Sequence, residues 1–291
     1  MPITKLKPYV GRYAPSPTGD LHLGNLRTAL LAWLDARKNK GQFLVRMEDL
    51  DTPRTVKGSA DKILSDLEWL GLDWDGEVMY QSLRKQRYEE ALNYLSSKDL
   101  TYPCFCSRKD IQLAASAPHK NHGVYPGTCF ALSESEKEQR ALKKTPAIRL
   151  KVNADLAKTC GDFVIRRADQ LFAYQLAVVV DDIDQGVTDV VRGEDLLEST
   201  DRQRYLAKQL EPDVPSIKYH HVPLMLDSAG KRMAKRDGSE SAEQWRSSGR
   251  TAEQLIGKLA FDLGLLESNN PISSQELLLI SDIRSTFFKK Y

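Results

Sequence analysis

The sequence lacks a long hydrophobic run, a large excess of one charge and any low-complexity tract. Its longest apolar stretches, Ala29–Leu34 and Leu176–Val180, are far shorter than the roughly 20 residues that a membrane-spanning helix needs. The first residues mix Lys, Arg, Asp and Pro, which is not the pattern of a signal peptide. Lys and Arg number 42 against 40 Asp and Glu, so any RNA contact must use local clusters of basic residues. We expect a cytoplasmic protein without a membrane partner.

Cysteine and histidine are also scarce, with four and five copies respectively. Three of the cysteines, Cys104, Cys106 and Cys129, are nonetheless crowded into one short segment. In a reducing compartment this crowding favours a metal over a disulfide, and the spacing fits one tetrahedral zinc ion. The residues alone leave the fourth ligand open, because His119 and His122 lie in the same segment.

The hydrophobic and charged fractions, 41% and 28%, are those of an ordinary globular protein large enough for an α/β core with smaller modules. Short apolar strands alternate with segments of helical apolar spacing at both ends of the chain. This alternation predicts a parallel sheet covered by helices on both faces. The predicted strands are Val10–Tyr13, Phe43–Val45, Val190–Gly193 and Lys218–Val222.

The alternation is interrupted after Thr101 by an irregular segment that contains the cysteines and a charged helix around Ser133–Lys144. We interpret this segment as an insertion between two halves of the sheet. Near the end, Thr251 and Gln254 have the spacing of a capping box for a closing helix. The predicted division is a first half of the catalytic domain (1–100), an insertion (101–168), a second half (169–240) and a helical tail (241–291).

Two distant segments have features suited to phosphate binding. In Arg12–Asn25 a strand ends, a proline-rich loop turns, and a helix begins just past His22 and Gly24. The start of a helix presents N–H groups and a partial positive charge to a phosphate. Gly230–Gly238 is a basic loop bracketed by glycines. Taken singly, the first segment is more often a plain turn and the second a solvated surface.

Together the two segments resemble the HIGH and KMSKS motifs of class I aminoacyl-tRNA synthetases. The string Pro15–Gly19 (PSPTG) narrows the resemblance to the glutamyl and glutaminyl branch. The resemblance implies a Rossmann-type catalytic domain in which the imidazole of His22 and the ammonium of Lys235 are the catalytic groups. An ionised carboxylate attacks ATP without a general base, so such groups act by positioning and charge. The ATP-binding residues that the resemblance implies are His22, Gly24, Asn25 and Lys235.

A glutamate pocket must bind two carboxylates and one ammonium group. Arg12 and Arg192 each end a predicted strand, where ligands of open α/β sheets bind, and Arg is suited to bidentate carboxylate binding. Glu48 follows another strand and has the charge to bind the ammonium group. Ordinary ion pairs are the alternative for all three. The resemblance favours binding and implies a pocket formed by Arg12, Tyr13, Ala14, Pro15, Ser16, Glu48, Tyr174 and Arg192.

The resemblance also concerns metals and the acceptor. It implies Tyr125 as the fourth ligand of one structural Zn²⁺, beside Cys104, Cys106 and Cys129, and ATP bound with Mg²⁺. Phe172–Asp182 and Val187–Gln203 look most like a truncated branch, the glutamyl-queuosine tRNA(Asp) synthetases. The stretch after the basic loop is also too short for an anticodon-binding domain.

Membership of that branch would imply a monomeric ligase that activates glutamate with ATP in the absence of tRNA. The enzyme would then transfer glutamate to queuosine in the anticodon of tRNA(Asp). Glu194 and the string Lys235–Gly238 are, however, at home in full-length glutamyl-tRNA synthetases. Two alternatives therefore stand beside this function: a shortened glutamyl-tRNA(Glu) synthetase, and a catalytically silent, zinc-stabilised RNA-binding paralogue.

Overall fold

The computed structural model describes residues 8–107, 109–111, 124–225 and 240–280. These residues form two compact units. The first unit contains the described residues up to Ser82, Gly186–Leu197 and those from Ser216 onward; the second contains Leu83–Gln185 and Glu198–Pro215. The predicted division into four segments follows chain order rather than contacts, and it stays a prediction.

The elements below are those of the described residues. The strands are β1 (Val10–Tyr13), β2 (Gln42–Met47), β3 (Met79–Tyr80), β4 (Thr101–Cys104), β5 (Ala147–Leu150), β6 (Phe163–Arg166), β7 (Asp189–Gly193) and β8 (Lys218–Val222). The helices are α1 (Leu23–Lys38), α2 (Ser59–Trp69), α3 (Lys85–Ser97), α4 (Glu134–Ala141), α5 (Ala154–Thr159), α6 (Tyr174–Asp184), α7 (Thr200–Leu210), α8 (Ala242–Ser247), α9 (Ala252–Asp262) and α10 (Ser274–Ile280). No helix in these ranges has both the length and the apolar character required to span a membrane.

The first unit is built on a five-stranded sheet in the order β3-β2-β1-β7-β8, and its strand pairs are all parallel. Counted within this sheet alone, the order is 3-2-1-4-5, which is that of the first five strands of a Rossmann fold. The strand order therefore reverses between β1 and β7. Ligands of open α/β sheets bind outside the carboxyl ends of the strands at such a reversal.

Helix α1 lies at the centre of the first unit. Its apolar stripe, Leu26, Leu30 and Leu34, is fully buried, and Leu31 and Ala32 on other sides of the helix are buried as well. The helix is enclosed because it packs against β1, β2 and β7 and also against α9 and α10. Enclosure on several sides fixes the position of the N-terminus of α1 relative to the strand ends.

The C-terminus of α1 closes with a left-handed residue that is not glycine. Lys40 has the positive φ of 53°, and its N–H donates to the Arg37 carbonyl at 3.0 Å. The Gly41 N–H donates to the Ala36 carbonyl at 2.9 Å. The two hydrogen bonds form a Schellman motif in which Lys40 is the left-handed residue and Gly41 follows it. Glycine is required at position 41 because a Cβ there would lie 2.5 Å from the Tyr9 carbonyl oxygen.

The second unit contains an antiparallel sheet in the order β4-β5-β6, within the segment predicted to be irregular. These strands have only four residues each, and β4 and β5 are separated by the cysteine segment and α4. Such short strands paired across a long separation leave little periodic signal in the sequence. The charged helix was predicted correctly: α4 begins after a capping box formed by Ser133 and Glu136.

Candidate active site and candidate metal centre

His22 is the residue from which α1 starts. Its backbone is extended, with φ of −92° and ψ of 164°, and its carbonyl accepts hydrogen bonds from the N–H groups of Asn25 at 2.9 Å and Leu26 at 3.0 Å. The helix therefore begins at Leu23, earlier than the predicted Asn25, and Gly24 lies in its first turn. The start of a helix carries a partial positive charge that suits phosphate binding, although the Asn25 N–H is itself directed to the His22 carbonyl.

The loop between β1 and α1 is held from two sides. The Gly19 N–H donates to the Ser59 hydroxyl at 3.1 Å, and that hydroxyl lies 2.8 Å from the Gly19 carbonyl, to which it donates. At the other end, the Glu48 N–H donates to the Pro15 carbonyl at 2.9 Å. The loop is thus fixed by the start of α2 and by the segment after β2. Fixed backbone groups at the start of a helix are what a phosphate-binding loop needs.

The basic segment that contains Lys235 lies outside the described residues, but the residues on both sides of it are placed. Ser241 forms an isolated antiparallel bridge with His22. On the other side, the Met225 sulfur is 4.0 Å from the position that a Cβ on Gly24 would occupy. Both ends of the segment therefore lie beside the start of α1.

The predicted carboxylate-binding arginines lie on neighbouring strands of the first unit. Arg12 on β1 is 4% exposed and Arg192 on β7 is 3% exposed. Glu48 follows β2, the neighbour of β1 on its other side. Because β2, β1 and β7 are parallel and adjacent, their carboxyl ends lie at one edge of the sheet, where the strand order reverses. The structure thus brings these three predicted residues to the same edge.

Arg192 is held by neighbours that the sequence analysis did not identify. Its Nε lies 3.3 Å from His221 Nε2, and Nη2 donates to the Leu196 carbonyl at 3.1 Å. Its guanidinium carbon is 4.5 Å from the centre of the Tyr219 ring. His221 is opposite Arg192 in the β7–β8 register, and Tyr219 is on the same face of β8. Knowledge of the strand pairing would have been needed to find them.

Glu48 has a partner of its own. Arg46 on β2 is fully buried, and its Nη2 lies 3.6 Å from Glu48 Oε1. The ordinary ion pair considered as the alternative for Glu48 is therefore present. A carboxylate has about four acceptor positions, so this pair leaves capacity for a ligand ammonium group. The sequence analysis did not single out Arg46.

The remaining residues of the predicted pocket have different environments. Tyr13 packs its ring into the core of the first unit, and burial raises the pKa of its hydroxyl. Pro15 is buried, Ala14 is half-buried and Ser16 is exposed. Tyr174 is the first residue of α6 in the second unit, and its assignment to the pocket stays a prediction.

The cysteine cluster lies in the second unit. The sulfur atoms of Cys104, Cys106 and Cys129 are all within 4.8 Å of one another, and those of Cys106 and Cys129 are 3.5 Å apart. The Tyr125 hydroxyl lies 3.4 Å from Cys104 Sγ and 3.7 Å from Cys106 Sγ. Zn–S bonds of about 2.3 Å in a tetrahedron separate the ligand atoms by about 3.8 Å. The donor set therefore fits a tetrahedral metal ion, while His119 and His122 lie outside the described residues.

Charge around the cluster is uneven. Burial opposes ionisation of Cys104, but hydrogen bonds with Tyr125 and Arg149 outweigh it and lower the pKa of this thiol. Burial raises the pKa of Cys106 to about 11. Burial and the hydrogen bond with Cys104 also raise the pKa of Tyr125. Arg149, which the sequence analysis missed, is thus the cation at this centre.

The first unit has the strand order of a Rossmann fold, a helix that starts at His22 and two buried arginines on neighbouring strands. These features are those of a nucleotide-binding catalytic domain of the class I synthetase type. The family model "tRNA synthetases class I (E and Q), catalytic domain" matches residues 9–281. Among curated proteins, the chain is 50% identical to a glutamyl-Q tRNA(Asp) synthetase from Nocardia farcinica, over 88% of this chain and 85% of that protein. A second relative of that name, from Symbiobacterium thermophilum, is 42% identical over 94% of this chain and 92% of that protein. The chain belongs to the glutamyl-Q tRNA(Asp) synthetase family within class I.

Solved structures agree with the class I synthetase fold. A glutamate-tRNA synthetase from Elizabethkingia anophelis superposes with a TM-score of 0.81 at 27% identity, covering 98% of this chain and 68% of that chain. A glutamate tRNA ligase from Elizabethkingia meningosepticum, solved with its amino acid, gives a TM-score of 0.82 at 26% identity, covering 98% of this chain and 66% of that chain. The predicted fold class is confirmed.

Proposed function

We propose that this protein activates glutamate with ATP, without tRNA, and transfers it to queuosine in the anticodon of tRNA(Asp). The main support is the identity of 42% and above to glutamyl-Q tRNA(Asp) synthetases over most of the chain. Within the first unit, the two arginines at adjacent strand ends supply a chemical reason for glutamate as the substrate.

The proposed pocket lies at the edge of the sheet formed by the ends of β1, β2 and β7. Arg12 and Arg192 are buried cations, and a buried cation stabilises a carboxylate more strongly than an exposed one does. Glu48 supplies the negative charge for the ammonium group, with Ser16 in the loop beside it. The contacts of Arg192 with His221 and Leu196 hold its guanidinium in one orientation.

ATP is proposed to bind at the start of α1, next to this edge. The carboxylate of glutamate attacks the α-phosphate, and pyrophosphate leaves. His22 and the positively polarised start of α1, which has Gly24 and Asn25 in its first turn, stabilise the phosphate charge. Lys235 is six residues before Ser241, which forms a bridge with His22. Six fully extended residues span about 20 Å, so Lys235 lies no further than this from Ser241. The position of Ser241 therefore supports a role for Lys235 at the same phosphates.

We propose that the metal of the second unit is one structural Zn²⁺, held by Cys104, Cys106, Cys129 and Tyr125. Four protein ligands leave no open position for catalysis, so the ion would stabilise the fold of the segment around it. Among the described residues, this thiol cluster is the one group of three or more candidate metal ligands. Mg²⁺ is therefore proposed to enter with the phosphates of ATP rather than at a carboxylate site of its own.

The substrates proposed here, ATP and tRNA, indicate the cytoplasm as the compartment. The monomeric state stays a prediction. A shortened glutamyl-tRNA(Glu) synthetase remains the second candidate, because the solved structures superposed above are those of glutamate-tRNA synthetases. The two functions share the activation step and differ in the acceptor.

The test has two stages, each with its own readout. ATP–pyrophosphate exchange is first measured without RNA, with glutamate, aspartate or glutamine as the substrate. Exchange with glutamate alone supports the proposal, whereas no exchange here together with no transfer in the second stage identifies a catalytically silent paralogue. Transfer of labelled glutamate is then measured to tRNA(Asp) with queuosine, to tRNA(Asp) lacking it and to tRNA(Glu).

Transfer to queuosine-containing tRNA(Asp) alone is the expected result. An ester on the cyclopentene diol is labile to alkali, and prior periodate oxidation of the diol blocks its formation. Charging of tRNA(Glu) instead would establish the shortened synthetase and contradict the proposal.

A further inference from the structure

Arg149 lies within the cysteine cluster of the second unit and contacts two of its members. Its Nε donates to Cys104 Sγ at 3.2 Å. Its guanidinium carbon lies 3.6 Å from the centre of the Tyr125 ring, which is a close cation–π contact. The side chain is only 6% exposed. A buried cation thus touches one thiol and the aromatic residue that faces the thiols.

The position of Arg149 is fixed by the surrounding sheet. It lies on β5 opposite Tyr102 of β4, and its Nη1 donates to the Asp162 carbonyl at 2.6 Å. The Asp162 carboxylate is used elsewhere, because it accepts hydrogen bonds from the Tyr102 hydroxyl at 2.6 Å and the Val152 N–H at 2.9 Å. The guanidinium is therefore oriented by a neutral carbonyl rather than by a carboxylate.

The charge of Arg149 has to be balanced, because an isolated buried ion is strongly unfavourable. Among the described residues, Arg149 forms no ion pair with a carboxylate. Residues 112–123, which belong to the same insertion, contain no Asp or Glu. The thiol cluster is therefore the group in direct contact with the guanidinium that can carry a negative charge.

A metal centre with three thiolate ligands would supply that charge. Three thiolates around a doubly charged zinc ion leave one net negative charge in the protein interior, and a phenolate ligand would leave two. Second-sphere groups that donate to ligand atoms orient those ligands and offset such charge. Arg149 meets both conditions, since it donates to one ligand sulfur and stacks on the phenol ring.

We propose that Arg149 is the positioning residue of this metal centre, offsetting its negative charge through Cys104 and holding the Tyr125 ring against the thiols. This inference rests on the zinc site proposed above. It concerns metal retention by the second unit, and it is independent of the glutamate and tRNA chemistry.

The experiment measures zinc affinity of the full-length protein by competition with a chromophoric chelator. Arg149→Gln removes the charge, and Arg149→Lys keeps a charge but loses the planar group. Arg166→Gln is the matched control: Arg166 lies on the neighbouring strand β6 and stacks on Phe172 at 5.5 Å, with Glu89 as its ion-pair partner. Cobalt substitution reports the ligand geometry of each variant through its visible absorption.

Arg149→Gln is expected to lower zinc affinity by about 10- to 100-fold, the usual effect of losing a second-sphere partner. Arg149→Lys should lie between this variant and the parent, with an altered cobalt spectrum, and Arg166→Gln should bind zinc like the parent. Arg149→Gln should lower the melting temperature more in the zinc-loaded protein than in the metal-free protein, since its contact with the Asp162 carbonyl is lost in both and its charge balance only when zinc is bound.

Equal zinc affinity of Arg149→Gln and the parent would overturn the proposal, as would an equal loss in Arg166→Gln. If Arg149→Gln does not fold, Arg149→Lys decides the matter by the same criteria against Arg166→Gln. A parent protein that binds no zinc removes the metal site itself together with this inference. That outcome is distinguished by elemental analysis before any variant is made.

Discussion

At the scale of single residues, the candidate active site depends on arginines that are almost completely buried. A buried guanidinium at a strand end needs a negative partner, and a substrate carboxylate can provide it. Arg192 also hydrogen-bonds to neighbours of its own, and Arg12 lies on the strand next to it. The first two predictions concern single side chains of this site.

Replacing Arg12 with alanine should raise KM for glutamate far more than KM for ATP. A charged hydrogen bond contributes about 1.5–3 kcal/mol, which corresponds to roughly 10- to 100-fold in KM. ATP–pyrophosphate exchange at varied glutamate and varied ATP measures both constants. Arg54→Ala, at a side chain that is 74% exposed, is the control and should change neither. Equal changes in the two constants would exclude Arg12 from the glutamate pocket.

Lys235→Ala should reduce the exchange rate by about a hundredfold or more, since loss of one preorganised donor costs roughly 3 kcal/mol. The melting temperature of the ligand-free protein should not change, because the role proposed for Lys235 is contact with ATP. Lys231→Ala in the same basic segment is the matched control and should retain most of the activity. If Lys235→Ala exchanges pyrophosphate at a near-normal rate, the assignment of this ammonium group to ATP is wrong.

At the scale of elements, the turn before β6 in the second unit packs against the proposed metal centre. Gly161, just before β6, has φ of 65°, and a Cβ there would lie 2.6 Å from the Tyr125 carbonyl oxygen. The turn before β6 therefore presses directly on the backbone of the proposed ligand. Only glycine permits both this backbone conformation and this close approach.

Gly161→Ala should destabilise the protein more than Gly127→Ala does. Both positions have positive φ, at 65° and 76°, so both variants lose roughly 1–2 kcal/mol from backbone strain. No described atom lies within 4 Å of a Cβ at Gly127, whereas Gly161→Ala must also displace Tyr125, at a further cost of about 1–3 kcal/mol. Chemical denaturation measures the difference, and equal losses would show that the close approach is relieved without cost.

At the scale of the whole molecule, the residues around the cysteines have little apolar core of their own. The first unit has an extensive core around α1, and the second unit has another that includes Tyr88, Leu92, Leu176 and Val178. The cysteine cluster is a separate, small group of buried residues within the second unit. A segment with a small core usually needs a metal or a crosslink. The segment around the cysteines should therefore be the part of the second unit that responds to metal removal.

Cys104→Ser should lose the zinc and increase protease cleavage within Leu83–Gln185, while fragments of the first unit persist. Cys160→Ser is the control, because Cys160 is buried but lies outside the thiol cluster. Elemental analysis gives the metal content, and mass spectrometry of a limited digest gives the cleavage sites. A full zinc complement in Cys104→Ser would contradict the assigned ligand set.

Local sequence determined much of the fold. The predicted strands of the first unit appear as β1, β2, β7 and β8, because short runs rich in β-branched and aromatic residues favour strands. The capping box at Thr251 starts α9 as predicted, since its hydrogen bonds join residues three apart. Cys104, Cys106 and Cys129 are close in sequence, so bringing them together costs little loop-closure entropy. Their crowding therefore predicted the cluster.

Only the tertiary structure decided which distant residues became neighbours. The sheet β4-β5-β6, the pairing of Arg192 with His221 and the position of Arg149 against Cys104 join residues that are far apart in sequence. No local periodicity encodes such pairs, because they depend on strand order and register. The sequence by itself therefore determined the elements and the chemistry of the candidate residues. Their partners were decided by packing, which fixes strand order and register for the whole sheet at once.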